Sequence, residues 1–505
     1  MKLQRNTRER QSHGNLRTSI NAKQDPFILK FPPEIASHIF FLLSMDTPFH
    51  DTSRKLPMPL LLGSVCRGWR LLARSTPELW SMLSFSLAKP TRKPEGLSQL
   101  NAVSNWLQLS GDVPLTLNVY KYPDLEADSV SQLEEECDAI IDLLNQHSGR
   151  WGKLLLYMPA SLFLRFCGTS PPSRLCEIHL IGNCLELPTF KMRSRPSPTH
   201  LTITHFPIST VHIKWDNLTS LKMSLAVVDE CIEAIQQAPL LETCSITLSS
   251  TTGFLPFIPK TTLRHLCLRT LKLCNFPFGI LCSFLDALDL PALQAYHHRT
   301  LDKRHDISAH NIISLLNRSR IDLKQLTLNA YSLRVEDLKK LLNAAPWLQN
   351  LRLSVCSPDN APVIRELFEH LYSSPPSIGD IPGVLPSLQS LTISGREISI
   401  WGCIPHLFSS PHRKLLRLEV NEQGACEIDI DNDTFRTIVR LVDEGFNIRI
   451  HLAGLDYLQR LKEKSREADL SVDLALEGGP VKADDKKEGF LASFSSFISC
   501  LFCRR

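Results

Sequence analysis

The chain has 505 residues, 43% apolar and 21% charged, a balance that excludes a wholly disordered protein and leaves room for two or three domains. A formal net charge of +4 supplies no global field toward nucleic acid or a membrane surface. The 15 cysteines stand singly except for Cys500 and Cys503, and no apolar run reaches the roughly 18 residues of a bilayer span, so neither a disulfide scaffold nor a membrane-spanning helix is expected.

Residues 1–25 read as a basic disordered arm. Within residues 1–24, Lys2, Arg5, Arg8, Arg10, Arg17 and Lys23 stand against the single acid Glu9. The segment has no apolar run and so is not a secretory signal; a transit peptide or a nuclear signal is the alternative. The cysteines are then expected to be reduced thiols of a cytoplasmic and/or nuclear protein.

Residues 26–84 form the first structured piece. Pro32 and Pro33 suit a first helical turn, where a missing N–H costs nothing, and Glu34 complements the helix dipole. Ile35, Ile39 and Leu42 or Leu43 then share one helical face. After a polar, proline-punctuated loop from Ser44 to Pro59, the same period returns at Leu61 or Leu62, Val65, Trp69 and Leu72. Pro77 opens a last turn that carries Leu79 and Trp80. Roughly fifty residues in three helices bury only part of this surface unaided. The rest either packs on the remainder of the chain or docks on a partner.

This stretch resembles an F-box. The resemblance rests on Pro32, Glu34, Ile35, Ile39, Phe40 and Leu43, then Val65, Cys66, Arg67, Trp69, Arg70, Leu72 and Ala73, then Pro77, Leu79 and Trp80. Phe31 stands where the family usually has Leu, and the loop after the first helix is longer than the common form, though similar to that of many fungal members. The resemblance implies docking on the Skp adaptor of a cullin-based ubiquitin ligase. Phe31, Pro32, Ile35, Ile39, Leu62, Val65, Trp69 and Leu72 are the candidate contacts, and some of them belong instead to the unit's own core. Arg67, Arg70 and Arg74 fall on another face, either solvated or steering an acidic partner.

Residues 85–150 read as a helical connector with a first strand; its helix runs about Ser98–Leu109 and stops at Gly111. In 151–467 a unit recurs: a helix, a break, then an L-x-x-L-x-L triplet. Gln236–Ile246 and Asn343–Leu353 align on Pro and on the apolar positions that follow it. Further triplets stand at Leu175/Ile178/Leu180, Leu218/Leu221/Met223, Leu263/Leu266/Leu268, Leu323/Leu326/Leu328, Leu388/Leu391/Ile393 and Leu415/Leu418/Val420. Such triplets read as strands of a parallel sheet joined by helical crossovers. The pattern resembles an irregular leucine-rich repeat, with the family's Asn or Cys ladder kept only at Asn183 and Cys356; an ordinary α/β domain is the alternative. A helix from Leu455 to Glu467 closes the array. Residues 468–505 read as a disordered tail with an apolar end. Phe490, Phe494, Phe497 and Phe502 with Arg504 and Arg505 could touch a membrane surface, with Cys500 or Cys503 open to acylation; a flexible tail is the competing reading. The fold class expected is α/β, a small three-helix F-box followed by an irregular leucine-rich-repeat-like solenoid.

The sequence holds no phosphate loop, no G-x-S-x-G and no H-E-x-x-H. A lone C-x-x-C lacks the four ligands of a zinc site. His297 and His298 read as part of a surface loop, and the carboxylates of Leu133–Leu144 as a solvated helix face. The expectation is a non-enzyme without cofactor or metal: the substrate receptor of a Skp–cullin–F-box ubiquitin ligase, with an unidentified protein target and no nucleic acid. The alternative is a scaffold that uses the Skp adaptor without cullin.

Overall fold

A computed structural model describes residues 27, 30–45, 57–87, 99–121, 130–182, 187–248, 262–300, 309–331, 333–355, 357, 361–373, 384–396, 398, 400–409, 413–423, 430–452 and 455–459. The N-terminal arm, the tail after 468 with its phenylalanines and cysteines, and the ladder positions Asn183 and Cys356 lie outside the described residues. Among the described residues no helix is long and apolar enough to cross a membrane.

The N-terminal unit comprises helices α1 (Pro33–Met45), α2 (Met58–Val65) and α3 (Arg67–Arg74) and the 3-10 turn Pro77–Trp80. Proline occupies the first turn of both α2 and the 3-10 turn, where its lost N–H has no partner to miss. The sequence suggests one helical face through Val65, Trp69 and Leu72, but the helix is broken. Cys66 is extended (φ −152°) and its thiol accepts the Trp69 N–H at 3.4 Å, capping α3 anew. Phe40, Leu62, Ala73, Leu79 and Trp80 form the buried core of this unit. The Trp80 indole donates to Ala73 O, and the Trp106 indole donates to Trp80 O, both at 2.8 Å. The two rings meet edge to face at 4.8 Å, which joins the unit to helix α4 (Gln99–Leu109) of the body.

The body is α/β, built on an open, mostly parallel sheet of fifteen strands that follow one another in chain order. They are β1 (Met82–Ser86), β2 (Leu115–Tyr120), β3 (Trp151–Tyr157), β4 (Glu177–Ile181), β5 (His200–Thr204), β6 (Ser220–Ala226), β7 (Thr243–Leu248) and β8 (Thr270–Cys274). The order continues through β9 (Ala295–Arg299), β10 (Gln325–Ala330), β11 (Asn350–Val355), β12 (Ser390–Gly395), β13 (Arg417–Glu422), β14 (Ile448–Leu452) and β15 (Leu455–Asp456). Only β15 pairs antiparallel. Parallel neighbours require long returns, and helices such as Val228–Gln237, Ala309–Ser319 and Val335–Asn343 supply them. Along most strands alternate residues are buried, giving a continuous row from Leu117 through Leu154, Ile178, Leu201, Leu221 and Cys244 onward. Returns cover that face, and most of the alternate residues are half-buried or exposed on the other, with Thr392 on β12 a buried exception.

Several expectations change. The sheet begins at Met82, so the boundary at residue 84 and the connector 85–150 both fall inside it; β1 and β2 are its first strands. In the unit around 263–273, Leu266 is 66% exposed, and the buried set is Leu268, just before β8, with Leu271 and Leu273 on it. LRHLCLRTLKL satisfies the triplet in two registers that share Leu268, and pairing with β7 and β9 selects the second. Leu415 is 92% exposed while Leu416 is buried in its place. His297 and His298 lie in β9, not in a surface loop. Leu455 and Asp456 form a strand; helix starts only at Tyr457, and residues 460–467 lie outside the described set.

Three arginines pin the returns by donating to carbonyls at the turns, several of which also accept a backbone N–H. Arg150 reaches Ser110 O and Val113 O, Arg318 reaches Leu285 O and Leu288 O, and buried Arg413 reaches Val384 O and Leu385 O. Gly168 closes the turn after β3 at φ +66°, its N–H on Asn145 Oδ1 at 2.9 Å. A Cβ there would meet Met192 Cε at 2.9 Å and Ser148 Oγ at 3.0 Å. Gly168→Ala is expected to destabilise the body by about 2 kcal/mol, read as a lower urea midpoint at unchanged slope.

Candidate functional site

Two surfaces of the described residues carry unsatisfied chemistry. The first is the outer face of the N-terminal unit. On α1 the buried positions are Ala36 and Phe40. Phe31, just before α1, and Ile35, Leu42 and Leu43 on it are all exposed, at steps of four, seven and eight residues. Leu60, Leu61 and Val65 on α2 and Leu71 on α3 are exposed as well. That many exposed large apolar side chains on so few turns is costly in water and marks a contact surface.

The eight candidate contacts divide accordingly. Phe31, Pro32, Ile35 and Val65 are exposed, with Val65 at 58%. Ile39, Trp69 and Leu72 are half-buried, and Leu62, 5% exposed, belongs to the core. Trp69 is held inward, its ring 4.8 Å from Phe40 and 5.1 Å from Phe27. Arg67, Arg70 and Arg74 are exposed, and Arg70 Nε donates to Gly63 O at 2.8 Å, tying α3 to α2.

The second surface is the open face of the sheet. Strand register aligns one outward residue per strand: Lys222, Ser245, Lys272, His297, Thr327 and Arg352 on β6 to β11. Arg299 stands beside His297 on the same outward side of β9. Among the described residues none of Lys222, Lys272, Arg299 and Arg352 has a carboxylate partner. The two ends of the face differ. Toward the N-terminus, Glu177 binds Lys153 at 2.6 Å and His179 at 2.9 Å. Burial would raise the Glu177 carboxyl, but those two partners outweigh it and hold it below the ordinary range. Toward the C-terminus, Arg417 meets Glu419 at 3.2 Å. In the middle, the His297 imidazole is pushed down to about 4, by burial first and then by the charges of Lys272 and Arg352. No local pattern in the sequence marks the row, because it depends on register between strands. Its signal is the residue inside each L-x-L, which is Lys222, Lys272 and Arg352 once the strands are aligned.

Elsewhere, no group of three or more His, Cys, Asp or Glu among the described residues is placed to hold a metal ion. Burial raises the Cys244 thiol to about 12 and Cys231 well above its ordinary value, so neither is a thiolate at neutral pH. On Val130–Gln146, Asp142 is exposed, whereas Asp138 pairs with Arg165 rather than with water alone. No known family model matches the chain, and no curated protein matches it.

Proposed function

We propose that the chain is the substrate-receptor subunit of a Skp–cullin–F-box ubiquitin ligase, with residues 26–84 as an F-box that docks on the Skp adaptor. The body serves as an irregular leucine-rich-repeat-like solenoid that holds a protein target. The observation that carries the reading is the exposed apolar stripe of Phe31, Ile35, Leu42, Leu43 and Val65, set on a unit whose own core is closed by Phe40, Leu62 and Trp80. A closed core means the stripe is not needed for folding, which leaves docking as its use. The Trp80–Trp106 contact then fixes the docked machinery relative to the sheet. The chain's contribution to catalysis is proximity: it raises the effective concentration of target lysines near the charged conjugating enzyme and supplies no nucleophile itself. This reading sets its work in the cytoplasm or the nucleus, where the ligase operates.

The test is size-exclusion chromatography of the full chain with a purified Skp adaptor, followed by addition of cullin. Co-elution of all three is the expected result. A binary complex that excludes cullin replaces the ligase reading with that of a cullin-free scaffold. Separate elution of chain and adaptor removes both.

A further inference from the structure

We propose that the open sheet face between β6 and β11 receives an extended acidic protein segment, lying across the strands and held by Lys222, Lys272, Arg299 and Arg352. As the chemical class of the target, this inference rests on the receptor reading above.

The geometry sets the size of the occupant. Adjacent strands lie about 4.8 Å apart, so the five intervals from Lys222 to Arg352 span about 24 Å. At about 3.3 Å per residue, roughly seven residues of extended chain cover that distance. Lys222 and Lys272 are two strands apart and Lys272 and Arg352 three, or about 10 and 14 Å. A carboxylate at every third or fourth residue of the segment matches these steps.

Charge complementarity singles out this occupant. Unneutralised cations repel one another across a sheet, and like charges near each other on one face destabilise it. At both flanks the fold supplies the compensating acid from a strand, Glu177 on β4 and Glu419 on β13. On β6 to β11 it supplies none, and the combined field is strong enough to help keep His297 neutral. Ser245 and Thr327, interleaved in the row, offer hydroxyl donors to carboxylates without adding charge. The outward side chains of these strands include no Phe, Tyr or Trp ring on which successive nucleobases could stack and no apolar cluster for a lipid surface.

The experiment is fluorescence anisotropy of the full chain with a labelled ten-residue peptide of glutamates spaced by serines, without adaptor. Peptide binding should weaken steeply with added salt. The double variants Lys272→Glu/Arg352→Glu and Lys272→Ser/Arg352→Ser should lose affinity at least about tenfold while melting as the wild type does. Arg67→Glu, on the N-terminal unit, should bind as the wild type. Equal peptide affinity in either folded double variant overturns the proposal. So does tighter binding of an oligothymidylate that depends on the same two residues. Because no adaptor is present, failure here leaves adaptor docking standing, and failure of docking leaves this result standing.

Discussion

Val65→Asp is expected to weaken binding to a Skp adaptor by about 100-fold or more while the chain melts as the wild type does. Val65 ends α2 with most of its side chain in water, outside the core of Phe40, Leu62, Ala73, Leu79 and Trp80. An aspartate there costs the free protein little. In a dry contact the same carboxylate is buried without a partner, a penalty of about 3 kcal/mol or more, and each 1.4 kcal/mol is about a factor of ten. Ile35→Asp, on the exposed stripe of α1, should behave alike. Trp69→Ala should do the reverse and lower stability by about 3 kcal/mol, since the ring packs against both members of the stacked Phe27–Phe40 pair. Calorimetric titration with the adaptor, paired with a thermal melt of each variant, separates the two behaviours. Because the sheet is untouched, Val65→Asp should still capture its target and fail to support ubiquitylation. If Val65→Asp melts normally and binds the adaptor with unchanged affinity, the exposed stripe is not the docking face.

The contrast between Val65 and Trp69 shows where the sequence stops informing. The prolines and the apolar period place the helices, because those signals are local. Which apolar face is covered depends on what arrives from elsewhere, and the single face drawn through Val65, Trp69 and Leu72 ignores the extended Cys66 between two helices. In the body, strand existence was legible wherever leucines repeat, as at Leu218/Leu221/Met223 or Leu323/Leu326/Leu328, all buried as expected. Register was not legible where leucines are too frequent, as around Leu266, because several phases satisfy the pattern. Strands without leucine were missed for the opposite reason: β9 reads Ala-Tyr-His-His-Arg, with Tyr296 and His298 buried in the row that neighbours fill with leucine. The basic row depends on register between strands far apart in sequence, so it became visible only with the sheet.

Lowering pH from 7 toward 4 is expected to cost the body about 3 kcal/mol through His298 alone. His298 is 2% exposed, its neighbours across the strands are Leu273 and Leu328, and its Nδ1 has no hydrogen-bond partner among the described residues. Burial pushes the imidazole from 6.5 down to about 4. Between those values the unfolded chain takes up a proton that the folded one refuses, so stability falls as pH drops. The contribution is whole above 6.5 and lost progressively down to about 4, an interval worth about 3 kcal/mol at roughly 1.4 kcal/mol per pH unit. Carboxylates also titrate in this range, so the effect must be read as a difference between variants. His298→Leu extends the leucine row between Leu273 and Leu328 and cannot take a proton. Urea denaturation of both proteins at pH 7 and pH 4.5 should show the wild type losing about 2–3 kcal/mol more than His298→Leu. Equal losses in the two proteins would mean that His298 is accessible to protons in the folded state, and that β9 is not buried as a strand of the sheet.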